Sequence, residues 1–168
     1  MTRREALVAA VNVFIDEIEE SSPNSSISLT TYSTTATRDT PLTPVFDSIR
    51  ADVNAIAATG FTNIFEALTL GSDSLEEDPL ARRFADKTVV LMTDGVFNVG
   101  GTPIPSAILA ASRNQTVHTI TFSEGANQAA MAQVAAIGGG IHVHADDGSS
   151  LADAFREIAL TLSVITIE

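Results

Sequence analysis

Apolar positions along this chain switch between the period of a helix and the period of a strand, and the switches predict its elements. Leu7, Val8, Val11, Phe14, Ile15 and Ile18 share one helical face, with Asp16, Glu17, Glu19 and Glu20 mostly on the other. Thr2 and Glu5 form a capping-box pair at the start of this helix, and Ser21-Ser22-Pro23-Asn24 ends it. Ile27, Leu29 and Thr31 alternate with Ser28, Thr30 and Tyr32, the pattern of a half-buried strand. Ser33–Ala36 turns the chain toward a short partner near Thr37–Thr40, and Pro41 and Pro44 favour an edge position for it. Helical spacing returns in Phe46, Ile49, Val53 and Ile56. After the loop Thr59-Gly60-Phe61-Thr62-Asn63 it returns again in Ile64, Phe65, Leu68 and Leu75. Asp73, Glu76, Glu77 and Asp78 gather at the end of that helix, where negative charge opposes the helix dipole, and read as a solvated face.

Thr88–Met92 is a short apolar run rich in β-branched residues, which suits a strand buried on both faces of a parallel sheet. It ends in Thr93-Asp94-Gly95. Thr102-Pro103 starts the next helix, cap then proline, with Ile104, Ile108 and Leu109 on its apolar face and Asn114 at its end. Val117–Phe122 is a further interior strand. Met131, Val134 and Ile137 line a helix stopped by Gly138-Gly139-Gly140, and Ile141–Ala145 is a short strand. Asp146-Asp147-Gly148 turns into a last helix capped by Ser150, with Leu151, Phe155, Ile158 and Leu162 inward. Ser163–Ile167 has strand composition. Strands and helices alternate along most of the chain, so the expected fold is α/β, a doubly wound, mostly parallel sheet with helices on both faces. Residues 1–168 are expected to form one domain.

Composition adds boundaries. The chain has 168 residues, 45% of them hydrophobic, enough for a full-sized core. No apolar run is long enough to cross a bilayer. There is no cysteine, hence no disulfide or thiolate chemistry. The net charge is -12, with only nine Lys and Arg. Such a surface repels nucleic acid and anionic lipid and tolerates cations or a basic partner.

The candidate chemistry sits in two polar loops. Gly60-Phe61-Thr62-Asn63 precedes a helix, and Met92-Thr93-Asp94-Gly95 follows a strand. Both belong at the C-terminal edge of the sheet, where α/β folds bind ligands. A hydroxyl from Thr62 and a carboxylate from Asp94 suit a hard cation such as Mg²⁺, which takes oxygen ligands.

GFTNIFEAL and VVLMTDGVFN resemble the second and third segments of a von Willebrand factor A (vWA) domain. The resemblance implies a Rossmann-like fold with strand order 3-2-1-4-5-6 and a metal-ion-dependent adhesion site (MIDAS). It places Thr62 and Asp94 among the ligands of Mg²⁺, or Mn²⁺ or Ca²⁺. It also implies a non-enzymatic adhesion module whose protein partner completes the metal shell with an acidic side chain. MTDGVFN, HTITFS and HVHADDGSSLADAFREIALTLSVITIE are similar to the vWA region of TadG-like proteins of bacterial Flp pilus assembly, which implies the cell envelope or the extracellular space. The family's Asp-x-Ser-x-Ser segment does not occur before the first helix. Met1 stands where the residue just after it would stand, so the expectation is a domain lacking its central first strand, with a degenerate site that binds metal weakly. Ser163–Ile167 is expected at the start of the vacant position, able to fill it in this chain or in a neighbouring copy.

Catalysis finds little support, with no Gly-x-Ser-x-Gly elbow present. Two alternatives remain open. His118, His142 and His144 could form the zinc site of a hydrolase. Or the domain is structural and holds no metal.

Overall fold

A computed structural model describes residues 1–56 and 61–162. Helix α1 (Arg3–Ser21) opens on the capping box that Thr2 and Glu5 predict: Thr2 Oγ1 accepts from the Glu5 amide, and the Glu5 carboxylate accepts from the Thr2 amide. Strands β1 (Ile27–Tyr32) and β2 (Ala36–Thr43) follow, then helices α2 (Phe46–Ala55) and α3 (Ile64–Glu77). The rest of the chain alternates: β3 (Lys87–Thr93), α4 (Ile104–Ser112), β4 (Gln115–Phe122), α5 (Gln128–Ile137), β5 (Gly139–Ala145) and α6 (Gly148–Leu162).

The strands divide into two groups. β3, β4 and β5 form a parallel sheet in that order, with Val89 opposite Val117 and Thr121 opposite His144. β1 and β2 form a separate antiparallel pair. Among the described residues no strand joins the two groups. Tyr32, at the end of β1, donates its hydroxyl to the Met92 carbonyl near the end of β3 at 2.6 Å. The Arg82 guanidinium, just before β3, donates to the Asn24 carbonyl, just before β1, at 2.9 Å. Ends meet ends and starts meet starts, so β1 and β3 run parallel across a cleft.

Helices cover both faces. Val90 and Met92 of β3 pack with Ala6 and Ala10 of α1 and with Leu151, Phe155 and Ile158 of α6. Val89 and Leu91 point the other way, toward Leu68 of α3, Ala107 of α4 and Met131 of α5. This alternation makes β3 apolar on both faces although the sequence shows no period in it. α2 joins α1 over β1 through Ile49, Val53, Ile15 and Ile18. The architecture is the expected doubly wound α/β fold.

Several details differ from the sequence reading. Val117–Phe122 is interior, as expected, whereas among the described residues Val89–Met92 is paired on one side only, by β4. The acidic group ending α3 is a solvated face only at Glu76 and Glu77, which are exposed. Asp78 is buried and accepts from the Leu42 amide at 3.0 Å and the Leu80 amide at 2.9 Å, tying β2 to α3. Asp73 pairs with Arg113 at 2.7 Å, and Glu76 with Lys87 at 2.9 Å. The cap of α6 is Asp147 rather than Ser150: the Ser150 amide donates to Asp147 Oδ1 at 2.8 Å, and the Asp147 amide to Ser150 Oγ at 3.0 Å. Strand β5 begins at Gly139, inside the glycine run. A side chain on Gly140 would start 2.2 Å from the Val117 carbonyl oxygen, so only glycine lets β5 approach the start of β4. Ser163–Ile167 lies outside the described residues.

Candidate metal centre

Four loops meet at the edge where the parallel strands end. The Asn63 amide donates to the Ser33 carbonyl at 2.9 Å, just past β1. Past β4, the Ser123 hydroxyl donates to the Asp94 carbonyl at 3.5 Å, and the Asn127 amide donates to the Gly95 carbonyl at 3.4 Å. Thr62 is held at two points by the loop after β3. Its amide donates to Asn98 Oδ1 at 2.9 Å, and its carbonyl accepts from the Asn98 amide at 3.2 Å. A side chain on Gly95 would begin 3.8 Å from the Thr62 hydroxyl. The structure thus brings Thr62 and the turn that follows Asp94 to the same edge of the sheet.

Asn63 secures the next step. Its Oδ1 accepts from the Glu66 amide at 3.2 Å, capping α3, and its Nδ2 donates to the Thr34 carbonyl at 3.0 Å. Gly100, with φ of 82°, passes directly over this amide, and a Cβ there would lie 2.0 Å from Asn63 Oδ1. The positive φ and the close approach both require glycine. Asn98 and Gly100 are thus part of the site's scaffold. Sequence reasoning singled out neither for this role; the only signal was a polar and glycine-rich run after a strand.

Asp94 is half exposed, and Arg3 at the start of α1 lies 3.3 Å from its Oδ2. Nothing in the sequence pairs residues so far apart. Tyr32 closes the inner side, its phenol pushed up to about 12 mainly by burial, an effect that the Thr93 hydrogen bond partly offsets. Phe61 and Val96 flank Thr62 and Gly95 and are 59% and 51% exposed. The donors are all oxygen, which suits a hard cation in kind. In number they are few, one carboxylate and one hydroxyl, and the carboxylate already has a cationic neighbour. Among the described residues no group of three or more His, Asp and Glu side chains is placed to hold a metal.

The histidines do not converge. His142 and His144 pair with Thr119 and Thr121 across the ladder and share their face, whereas His118 immediately precedes Thr119 in sequence and points to the opposite face. Thr119 donates its hydroxyl to the Met131 carbonyl at 2.9 Å, which leaves His142 Nδ1 as the donor in its 3.0 Å contact with the same oxygen. His144 Nδ1 is 2.8 Å from the Thr121 hydroxyl. His118 Nδ1 accepts from the Ile141 amide at 3.1 Å. Burial lowers the pKa of His118. It also lowers that of His142, where the Thr119 hydrogen bond opposes it in part. The three-imidazole zinc site is corrected to a structural network, because strand alternation separates His118 from the other two.

The sequence profile of the von Willebrand factor type A domain matches residues 4–157. The chain belongs to this family. Its members are protein-interaction modules and are generally not enzymes. No curated protein sequence matches the chain. Solved structures with the same fold include a von Willebrand factor type A protein from Catenulispora acidiphila, with TM-score 0.81 and 20% identity over 96% of this chain and 38% of that one. The vWF domain of the type V pili tip protein Mfa5 from Porphyromonas gingivalis has TM-score 0.78 and 13% identity over 95% of this chain and 88% of that one. Proximal thread matrix protein 1 from the mussel byssus, with a zinc-occupied MIDAS motif, has TM-score 0.73 and 18% identity over 91% and 42%. Divalent-metal binding therefore occurs within this vWA fold.

Proposed function

We propose that this vWA domain is a protein-binding module of an adhesive or pilus-assembly system, of the TadG-like kind, working at the cell envelope or outside the cell. Its contact surface is the edge carrying Thr62 and Asp94. The observation that supports this reading is the approach of the Thr62 hydroxyl to Gly95, the residue after Asp94, with the exposed Phe61 and Val96 next to them in sequence. An oxygen donor set inside an apolar rim is suited to an acidic partner side chain that joins a cation while the rim excludes water. The likeness to a pili tip protein points in the same direction.

The metal site of this reading is degenerate. Mg²⁺ prefers six oxygens and gives up water reluctantly, and Thr62 and Asp94 offer two side chains and one charge. Arg3 competes for the Asp94 carboxylate. Calorimetric titration of Mg²⁺ and Mn²⁺ into residues 1–168 is expected to show dissociation on the order of millimolar or weaker, the range of poor oxygen sites. Micromolar binding that Asp94→Ala removes would show a complete site instead. Tight binding insensitive to Asp94 but lost in the His142→Ala/His144→Ala double variant would restore the hydrolase alternative.

A further inference from the structure

The edge where the parallel strands begin lies opposite the interaction edge and carries an exposed patch of its own. The turn before β1, the corner between β2 and α2 and the loop that leads from α3 into β3 meet there. They enclose a depression of about 330 Å³ lined by Asn24, Ser26, Pro44, Pro79, Leu80 and Arg82. The apolar side chains of these segments face water: Val45 is 56% exposed, Leu80 52% and Phe84 93%. No core cluster includes any of them. The loop does not need them for its own shape, because backbone bonds close its turns. The Ala81 amide donates to the Asp78 carbonyl at 2.8 Å, and the Ala85 amide to the Arg82 carbonyl at 3.3 Å.

The charge of the patch is opposite to that of the chain. With 21 Asp and Glu against nine Lys and Arg, basic side chains on this surface readily find a carboxylate. Arg3, Arg50, Lys87, Arg113 and Arg156 each pair with one. Arg82 and Arg83 pair with none among the described residues, although Asp86 is exposed in the same loop. Arg82 donates to the Asn24 carbonyl at 2.9 Å, which holds its guanidinium beside the depression with its charge uncompensated. The Arg83 guanidinium lies over the Phe84 ring, 5.6 Å from its centroid. Stacking of this kind leaves in-plane N–H groups available to another acceptor.

Arginine and an aromatic ring beside a proline-lined hollow have the composition of an interface centre. A polyanion does not suit it, since two cations on a chain of net charge -12 cannot hold nucleic acid or anionic lipid. A symmetric pair of copies does not suit it either, because it would set one arginine pair against the other. A short segment with carboxylates flanking an apolar side chain does fit. Its apolar group fills the depression between Pro44, Pro79 and Leu80, and its carboxylates take the guanidinium forks of Arg82 and Arg83. We propose that this patch is a second protein-docking surface, for an acidic segment with an apolar centre on another protein. It works without metal, from the edge opposite Thr62 and Asp94.

The test is a titration of a blocked peptide, leucine-phenylalanine flanked on each side by two glutamates, into the ¹⁵N-labelled full chain in EDTA. The amides of Asn24, Val45, Leu80, Arg83 and Phe84 should shift saturably while those of Thr62 and Gly95 stay in place. The same peptide with glutamine for glutamate should bind at least about tenfold more weakly. Arg83→Ser and Phe84→Ala, both at exposed side chains that leave the fold intact, should each weaken the glutamate peptide by a similar factor. Absence of shifts at the patch, equal affinity for the two peptides, or unchanged affinity in either variant would overturn the proposal. So would shifts of the patch amides with protein concentration alone, which would assign the surface to a second copy of this chain.

Discussion

The parallel sheet β3–β4–β5 and the pair β1–β2 are built from similar residues but are held in different ways. Every residue of β4 beyond Thr116 is buried, and its backbone is paired on both sides. β1 is half-buried along its whole length and, among the described residues, paired on one side only. One region is stabilised by backbone ladders and close packing together. The other depends on individual side chains: Asp78 under β2, Tyr32 across the cleft and Arg82 at its mouth. The contrast shows that single side-chain links can hold a strand pair in place where backbone ladders are fewer, provided that helices on both faces bury it.

The largest expected effect lies in the complete region. Ile120→Ala removes a fully buried side chain from β4 and should cost about 4 kcal/mol, whereas Leu29→Ala on half-buried β1 should cost about 2. Equal losses in urea titrations would break the comparison. Next comes the bridge across the cleft. Tyr32→Phe should cost about 1 kcal/mol, since it leaves the Met92 carbonyl without this donor. Hydrogen exchange should show the loosening at the ends of β1 and β3 and not in β5.

A smaller effect is set by pH and belongs to the parallel sheet. Burial holds His118 and His142 below their ordinary value of 6.5, so the native state disfavours the protonated forms. The unfolded chain then takes up protons first as pH drops. Stability should be full above about pH 6.5 and fall as pH passes down through the native values. His118→Gln should flatten that decline in denaturant titrations at pH 7.5 and 5. The smallest effect concerns the interaction edge. Arg3→Ala removes an exposed ion pair and should change stability by no more than about 0.5 kcal/mol. It should tighten Mg²⁺ binding slightly, because Asp94 loses its competing cation.

Local signals were well represented in the chain. The α1 capping box, the stop at Asn114 with φ of 54°, and the edge position of β2 follow from side-chain chemistry acting within a few residues. Where the reading missed, a distant partner had overridden the local rule. Asp78 reads as solvent-facing until Leu42 is folded against it, and Ser150 reads as a cap until Asp147 takes that place.

The sequence by itself determined the order of elements, the two-faced burial of β3, the vWA family and the candidacy of Thr62 and Asp94. These depend on period, composition and motif, which are properties of neighbours along the chain. Only the tertiary structure decided that Asn98 clamps Thr62, that Arg3 approaches Asp94 and that His118 turns away from His142 and His144. Each of these joins segments far apart in sequence, and the ladder register and helix packing that bring them together are set by the whole core rather than by any local stretch.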